Sequence, residues 1–251
     1  AIRYPQFQSA WSLQEIAKIK HAQADRWNAV LPAIARTTKN SSRFRTRALD
    51  LMHLYGPPLS EELLSHISKD DDVSVRAKAI ELMGWRYKPA YKARLIDALS
   101  DEEAKVRRVA CEAMVRAKIR PELQNLQPLL TSTNRFESFA ARRLLETMPA
   151  DSWQDAILGT DDQRLFIQGG TALLLAQPNK TTSIAVLNRI HELFGGYVAD
   201  AEFVDMLRLA QIAIERGQVT AEDIPEVAAA LGNEFPSSDV TMNRELLRLL
   251  V

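Results

Sequence analysis

A single cysteine, Cys111, in 251 residues excludes an intramolecular disulfide framework and any multi-cysteine zinc or iron–sulfur site. Glycine is scarce, with nine in all, and aromatic residues make up only 7%. That composition disfavours sandwiches, propellers and collagen-like chains. No apolar run approaches the roughly 18 residues needed to cross a bilayer; the longest, Thr171 to Ala176, belongs to an amphipathic pattern. No charged segment followed by an apolar one opens the chain, so no signal peptide is read there. Net charge is lacking too, 32 basic side chains facing 32 acidic ones. What remains, 46% hydrophobic and 25% charged, is the balance of a folded domain. The chain starts at Ala1 and stops inside the apolar-periodic run Met242–Leu246–Leu247–Leu249–Leu250, without a cap or a glycine. We read it as a piece of a longer polypeptide and assign no compartment.

An internal repeat organises the rest. Segments beginning at Phe44, Val75, Val106, Phe136 and Phe166 are spaced 31, 31, 30 and 30 residues apart. Four positions on stand Ala48, Ala79, Ala110, Ala140 and Gly170; eight positions on stand Met52, Met83, Met114, Leu144 and Leu174. Large–small–large at i, i+4 and i+8 is one face of an α-helix, and the small middle residue admits a neighbouring helix. Acidic residues precede several copies, at Asp70–Asp72, Asp101–Glu103 and Asp161–Asp162, and are expected to cap the helices that follow. Between copies lie shorter apolar-periodic segments, Ser60–Lys69, Pro89–Leu99, Pro121–Thr131 and Asp151–Leu158, with Pro89 and Pro121 as first-turn prolines. Each unit is thus a helical hairpin of about 30 residues that needs a neighbour to bury its apolar face.

The pattern relaxes toward both ends. Thr182–Phe194 pairs with Asp200–Arg216, and Ala221–Leu231 with Asp239–Val251. Asp25–Thr37 precedes the first clear copy, and Ser12–Leu13–Gln14–Glu15 reads as a capping box opening one extra helix. The expected fold is all-α, a solenoid of about seven helical hairpins. It forms a single domain over residues 1–251, with capping helices in 1–40, the clearest repeats in 41–177 and divergent ones in 178–251.

The stretch Asp71 to Gly84, with Val75–Arg76 and Ala79, resembles the second helix of a HEAT repeat, and Asp101 to Met114, with Val106–Arg107 and Ala110, matches it. The closest likeness is to the short HEAT-like repeats first noted in phycobilisome lyases. The valine–arginine pair becomes Phe136–Glu137 and then Phe166–Ile167, so the family's arginine ladder is lost in the C-terminal half. The resemblance implies a right-handed α-α superhelix (HEAT-like solenoid), an interaction scaffold with a curved surface, and inter-repeat hydrogen bonds from Arg45, Arg76 and Arg107.

No catalytic constellation emerges, and no cofactor or metal site is expected. The histidines at 21, 53, 66 and 191 stand in no ligand spacing. His191–Glu192 is one such pair, where deoxyhypusine hydroxylases, which resemble this fold, hold two irons with several. Gly169–Gly170 reads as close helix packing, Cys111 as a buried thiol, and Trp11, Trp27 and Trp85 as packing or groove residues. Trp153 and Asp155 resemble only faintly the aromatic and acidic pair of HEAT-like DNA glycosylases.

Zero net charge hides an asymmetry. Residues 1–56 hold nine Lys/Arg against three Asp/Glu, and residues 181–251 hold five against eleven. Arg47, Lys78 and Arg108, one or two positions beyond the ladder, are expected on the exposed face as a stripe for a partner. Interleaved Asp50, Glu81 and Glu112 argue against a phosphate groove. The leading expectation is a non-enzymatic module of a larger protein that binds a protein partner with an acidic segment on its concave face, with no membrane insertion. Nucleic-acid binding through the basic N-terminal half ranks second. A structural spacer beside a catalytic or c-type haem domain of the parent polypeptide ranks third.

Overall fold

Most helices begin where a short polar side chain can satisfy the free N–H groups of a first turn. In the computed structural model, which describes residues 1, 2 and 9–250, Asp72 Oδ1 accepts from the N–H groups of Ser74 and Val75 at 2.9 and 3.1 Å. Ser60, Asn134, Asp162 and Asn179 cap their helices in the same way. Two helices stop on a left-handed residue that is not glycine, Lys118 at φ 55° and Gln218 at φ 50°. The helices are α1 (Ala10–Arg36), α2 (Ser42–Tyr55), α3 (Glu61–Ile67), α4 (Val73–Trp85), α5 (Lys92–Asp97), α6 (Ala104–Ala117) and α7 (Leu123–Leu130). They continue as α8 (Arg135–Leu145), α9 (Gln154–Leu158), α10 (Gln163–Ala176), α11 (Lys180–Phe194), α12 (Asp200–Gly217), α13 (Pro225–Asn233) and α14 (Val240–Leu250). No strand occurs among the described residues, and the fold is all-α and HEAT-like.

Taken in order, these helices pair into seven hairpins. The extra N-terminal helix is there as well, because α1 breaks at Ala24 (φ 37°, ψ −115°), just before Asp25. Its start differs from the expected capping box. Ser9 is the N-cap, accepting the Ser12 N–H at 3.2 Å, and Ser12 itself is fully buried. Nothing in Ala10–Trp11 breaks a helix, so the first serine able to cap takes the position. Pro121 likewise precedes α7 rather than opening it, since Glu122 is the N-cap.

Two compact units divide the chain, Ala1–Ile119 with α1–α6 and Arg120–Val251 with α7–α14. This boundary coincides with neither residue 40 nor residue 177. In the first unit the second helices of the hairpins, α2, α4 and α6, lie side by side; in the second, α8, α10, α12 and α14 do. Helices α4 and α6 pack closely, and a Cβ on Gly84 would stand 2.6 Å from the Ala113 Cα. Gly169 does the same for α9 and α10, its absent Cβ leaving room for Ile157 at 2.5 Å. The large–small–large face is buried at Val75, Ala79 and Met83, at Val106, Ala110 and Met114, and at Phe166 and Leu174. Phe136 departs from it and is exposed.

Candidate functional site

The arginine positions of the repeat sit at the hairpin junctions. Arg45 donates from Nε to the Ala35 carbonyl at 2.9 Å and places its fork on the Asp70 carboxylate. Arg76 repeats this one hairpin later, with Nε and Nη2 on the two Asp101 oxygens at 2.9 and 3.0 Å and Nη1 on the Asp70 carbonyl at 2.6 Å. Arg107 Nη1 donates to the carbonyls of Asp101 and Glu102 at 2.6 and 2.9 Å. Asp70 and Asp101, expected as helix caps, therefore serve chiefly as ladder acceptors. Their spacing of 31, equal to the repeat, was the signal for that role. Burial alone would push the Asp101 carboxyl up, but the Arg76 hydrogen bonds and the Glu103 N–H hold it below its ordinary value. Asp70 is depressed for the same reasons, through Arg45 and the Asp72 N–H.

The stripe of Arg47, Lys78 and Arg108 does not form as an exposed cationic row. Arg47 is only 7% exposed, and burial pulls its pKa down. Lys78 reaches Asp50 at 3.1 Å and Glu81 at 2.7 Å. Burial opposes its charge, but the Glu81 hydrogen bond and Asp50 outweigh that and hold the ammonium above its ordinary value. Arg108 Nε lies 3.7 Å from Glu112. Register explains the difference. Arg47 and Lys78 are three residues past Phe44 and Val75, whereas Arg108 is two past Val106, so buried Val109 occupies the Lys78 position.

On the same side of α4, one heptad beyond Lys78, stands Trp85, 55% exposed. The Arg116 guanidinium of α6 lies 4.9 Å from its ring centroid, and the His53 ring of α2 stands 6.3 Å away at a 45° tilt. Arg86 locks that imidazole, donating from Nε to His53 Nδ1 at 3.3 Å and from Nη2 to the His53 carbonyl at 3.1 Å. Burial, followed by the Arg86 charge, pulls the His53 pKa below its ordinary value and so favours the neutral ring. A groove of about 470 Å³ runs beside Trp85, lined by Leu13, Asp50, Leu54, Lys78 and Glu81. A second, of about 610 Å³, shares Trp85, His53 and Leu54 and continues to Pro58 and Tyr87. Three successive second helices thus present one aromatic side chain framed by an arginine and a histidine. Spacing could have singled out Trp85 over the other tryptophans, because it continues the Ser74–Lys78–Glu81 stripe.

The remaining candidates are not assembled. Trp153 is buried and Asp155 exposed, Cys111 is fully buried, and Glu192 is held by Arg189 at 2.8 Å. Among the described residues no three His, Cys, Asp or Glu side chains could jointly hold a metal, and no helix is long and apolar enough to cross a membrane.

The family model for HEAT repeats matches residues 60–146, from the N-cap of α3 to the end of α8. This stretch is made of HEAT repeats. They contribute α4 and α6, hence both Trp85 and Arg116. HEAT repeats generally serve as protein-interaction scaffolds and are typically non-catalytic. No curated protein matches the chain.

Proposed function

We propose that the chain is a non-enzymatic protein-interaction module, and that its partner docks on the second-helix face of the first unit, around Trp85. The observation that carries this is the exposed Trp85 ring between Arg116 and His53, beside two grooves. Tryptophan and arginine dominate interface hot spots, because a large rigid surface is buried at little entropic cost. Lys78 contributes from the groove lining as a member of ion pairs, Arg108, paired with Glu112, lines neither groove, and an acidic partner segment would meet Arg116. Arg47 drops out of the contact set because it is inside the fold. Lys78 shared between two carboxylates leaves this groove without excess positive charge, which favours a protein over nucleic acid.

The test is capture of partners from the source organism's lysate by wild type and Trp85→Ala, at low and high salt, with and without nuclease. A protein partner that survives nuclease and is lost at least about tenfold with Trp85→Ala supports the reading. Equal capture by both proteins sinks it. Recovery of nucleic acid that disappears at high salt would transfer the function to the basic N-terminal half.

A further inference from the structure

We infer that the face of α8 carrying Phe136 and Phe139 is a second docking surface, and that it takes an acidic peptide segment with apolar side chains. This site lies in the second unit and goes beyond the Trp85 reading. The first observation is a break in the repeat's own rule. The register position of Phe136 is buried at Val75, Val106 and Phe166, yet Phe136 is 55% exposed. Phe139, one turn on, is 54% exposed, so two large rings meet solvent on one face of a single helix. A contiguous apolar surface left open by the fold marks an interaction site.

The second observation is charge. The Arg135 guanidinium lies 4.7 Å from the Phe136 centroid, and that of Arg142 lies 5.2 Å from the Phe139 centroid. Arg143 follows, largely exposed. Two carboxylates stand beside them, Glu137 and Glu146, and both are largely buried; Glu137 accepts from the Ser132 hydroxyl, and Glu146 is shared by Arg142 and Arg143. On the neighbouring second helix, α10, there is no Asp or Glu at all. The rings therefore sit under a net positive rim, which complements carboxylates flanking an apolar side chain lodged between Phe136 and Phe139.

A nucleic-acid strand fits less well. Phosphate-driven affinity grows with the number of phosphates neutralised. Here each ring already has a guanidinium over one face, leaving less surface for stacked bases, whereas an apolar side chain needs only the ring edges.

The test is fluorescence anisotropy on the full chain with three labelled probes: a peptide of repeated Glu-Glu-Leu units, its Gln-Gln-Leu counterpart, and oligothymidylate. The acidic peptide should bind saturably and about tenfold more tightly than the glutamine one, and Phe136→Ser/Phe139→Ser should weaken it at least about tenfold with helicity unchanged. Arg135→Gln, which removes only the rim, should weaken it severalfold, and Trp85→Ala should leave it unaltered. Absence of saturable binding, equal binding by the wild type and Arg135→Gln, or preference for oligothymidylate would overturn the proposal. Loss of peptide binding in Trp85→Ala would also overturn it, by moving the contact to the first unit. Failure of the Trp85 reading leaves this result untouched, because the two surfaces share no residue.

Discussion

Arg76 bonds at once to the segment before its own helix, through the Asp70 carbonyl, and to the aspartate before the next second helix, Asp101. Both partners are nearly buried. Removing one side of such a pair strands a charge in low dielectric, which costs far more than the intact pair contributes. Asp101→Ala should therefore lower unfolding free energy by about 3 kcal/mol, measured by urea denaturation at neutral pH. The depressed pKa values of Asp70 and Asp101 fix a pH dependence as well. A carboxylate whose folded pKa lies below its unfolded value stabilises fully above the unfolded value, near 4 for aspartate, and that stability is lost as pH falls through the folded value. Melting temperature should hold from neutral pH to about 5 and fall steeply below about 4, less steeply in Asp101→Asn. Equal acid sensitivity in that variant would remove Asp101 from the explanation.

Pairs of helices succeed or fail by the size of one side chain. At Gly84 the obstacle to a methyl group is backbone, the Cα and carbonyl of Ala113. Gly84→Ala should destabilise by about 1–3 kcal/mol, and adding Ala113→Gly should restore little, because the Cα and carbonyl remain. At Gly169 the obstacle is the Ile157 side chain, all three nearest atoms belonging to it. Gly169→Ala should then be partly rescued by Ile157→Ala, with coupling visible in a double-mutant cycle. Additive losses at positions 169 and 157 would show that α9 and α10 do not touch there as described.

For the whole molecule, stability in a stack of hairpins is a sum of units and the contacts between neighbours. Helix α4 buries eight of its 13 residues and α6 six of its 14, whereas α14 buries only Glu245 and Leu246 of its 11. Hydrogen exchange should accordingly be slowest in α4 and α6 and fastest in α14. The exposed Trp85 belongs to the opposite category. Trp85→Ala should change unfolding free energy by less than about 0.5 kcal/mol while weakening partner binding, which separates recognition from folding.

The 30- and 31-residue spacing, the small residues at Ala79 and Ala110, and the polar residues before several of the helices were enough to read an all-helical repeat of hairpins. Such features act through contacts near in sequence or repeated at fixed spacing, so periodicity carries them. Arg45, Arg76 and Arg107 recur at that spacing, but their hydrogen bonds at the hairpin junctions were an expectation from the resemblance to HEAT repeats. What only the tertiary structure decided was which polar residues face each other across hairpins. Arg47 turned inward, Lys78 was taken up by Asp50 and Glu81, and Asp70 and Asp101 became acceptors for arginines 25 residues earlier. Trp85 and the Phe136–Phe139 pair were left exposed for want of a neighbour to cover them, not through any local pattern. Burial is a property of the whole packing, and a helix's own sequence cannot state what stands against it.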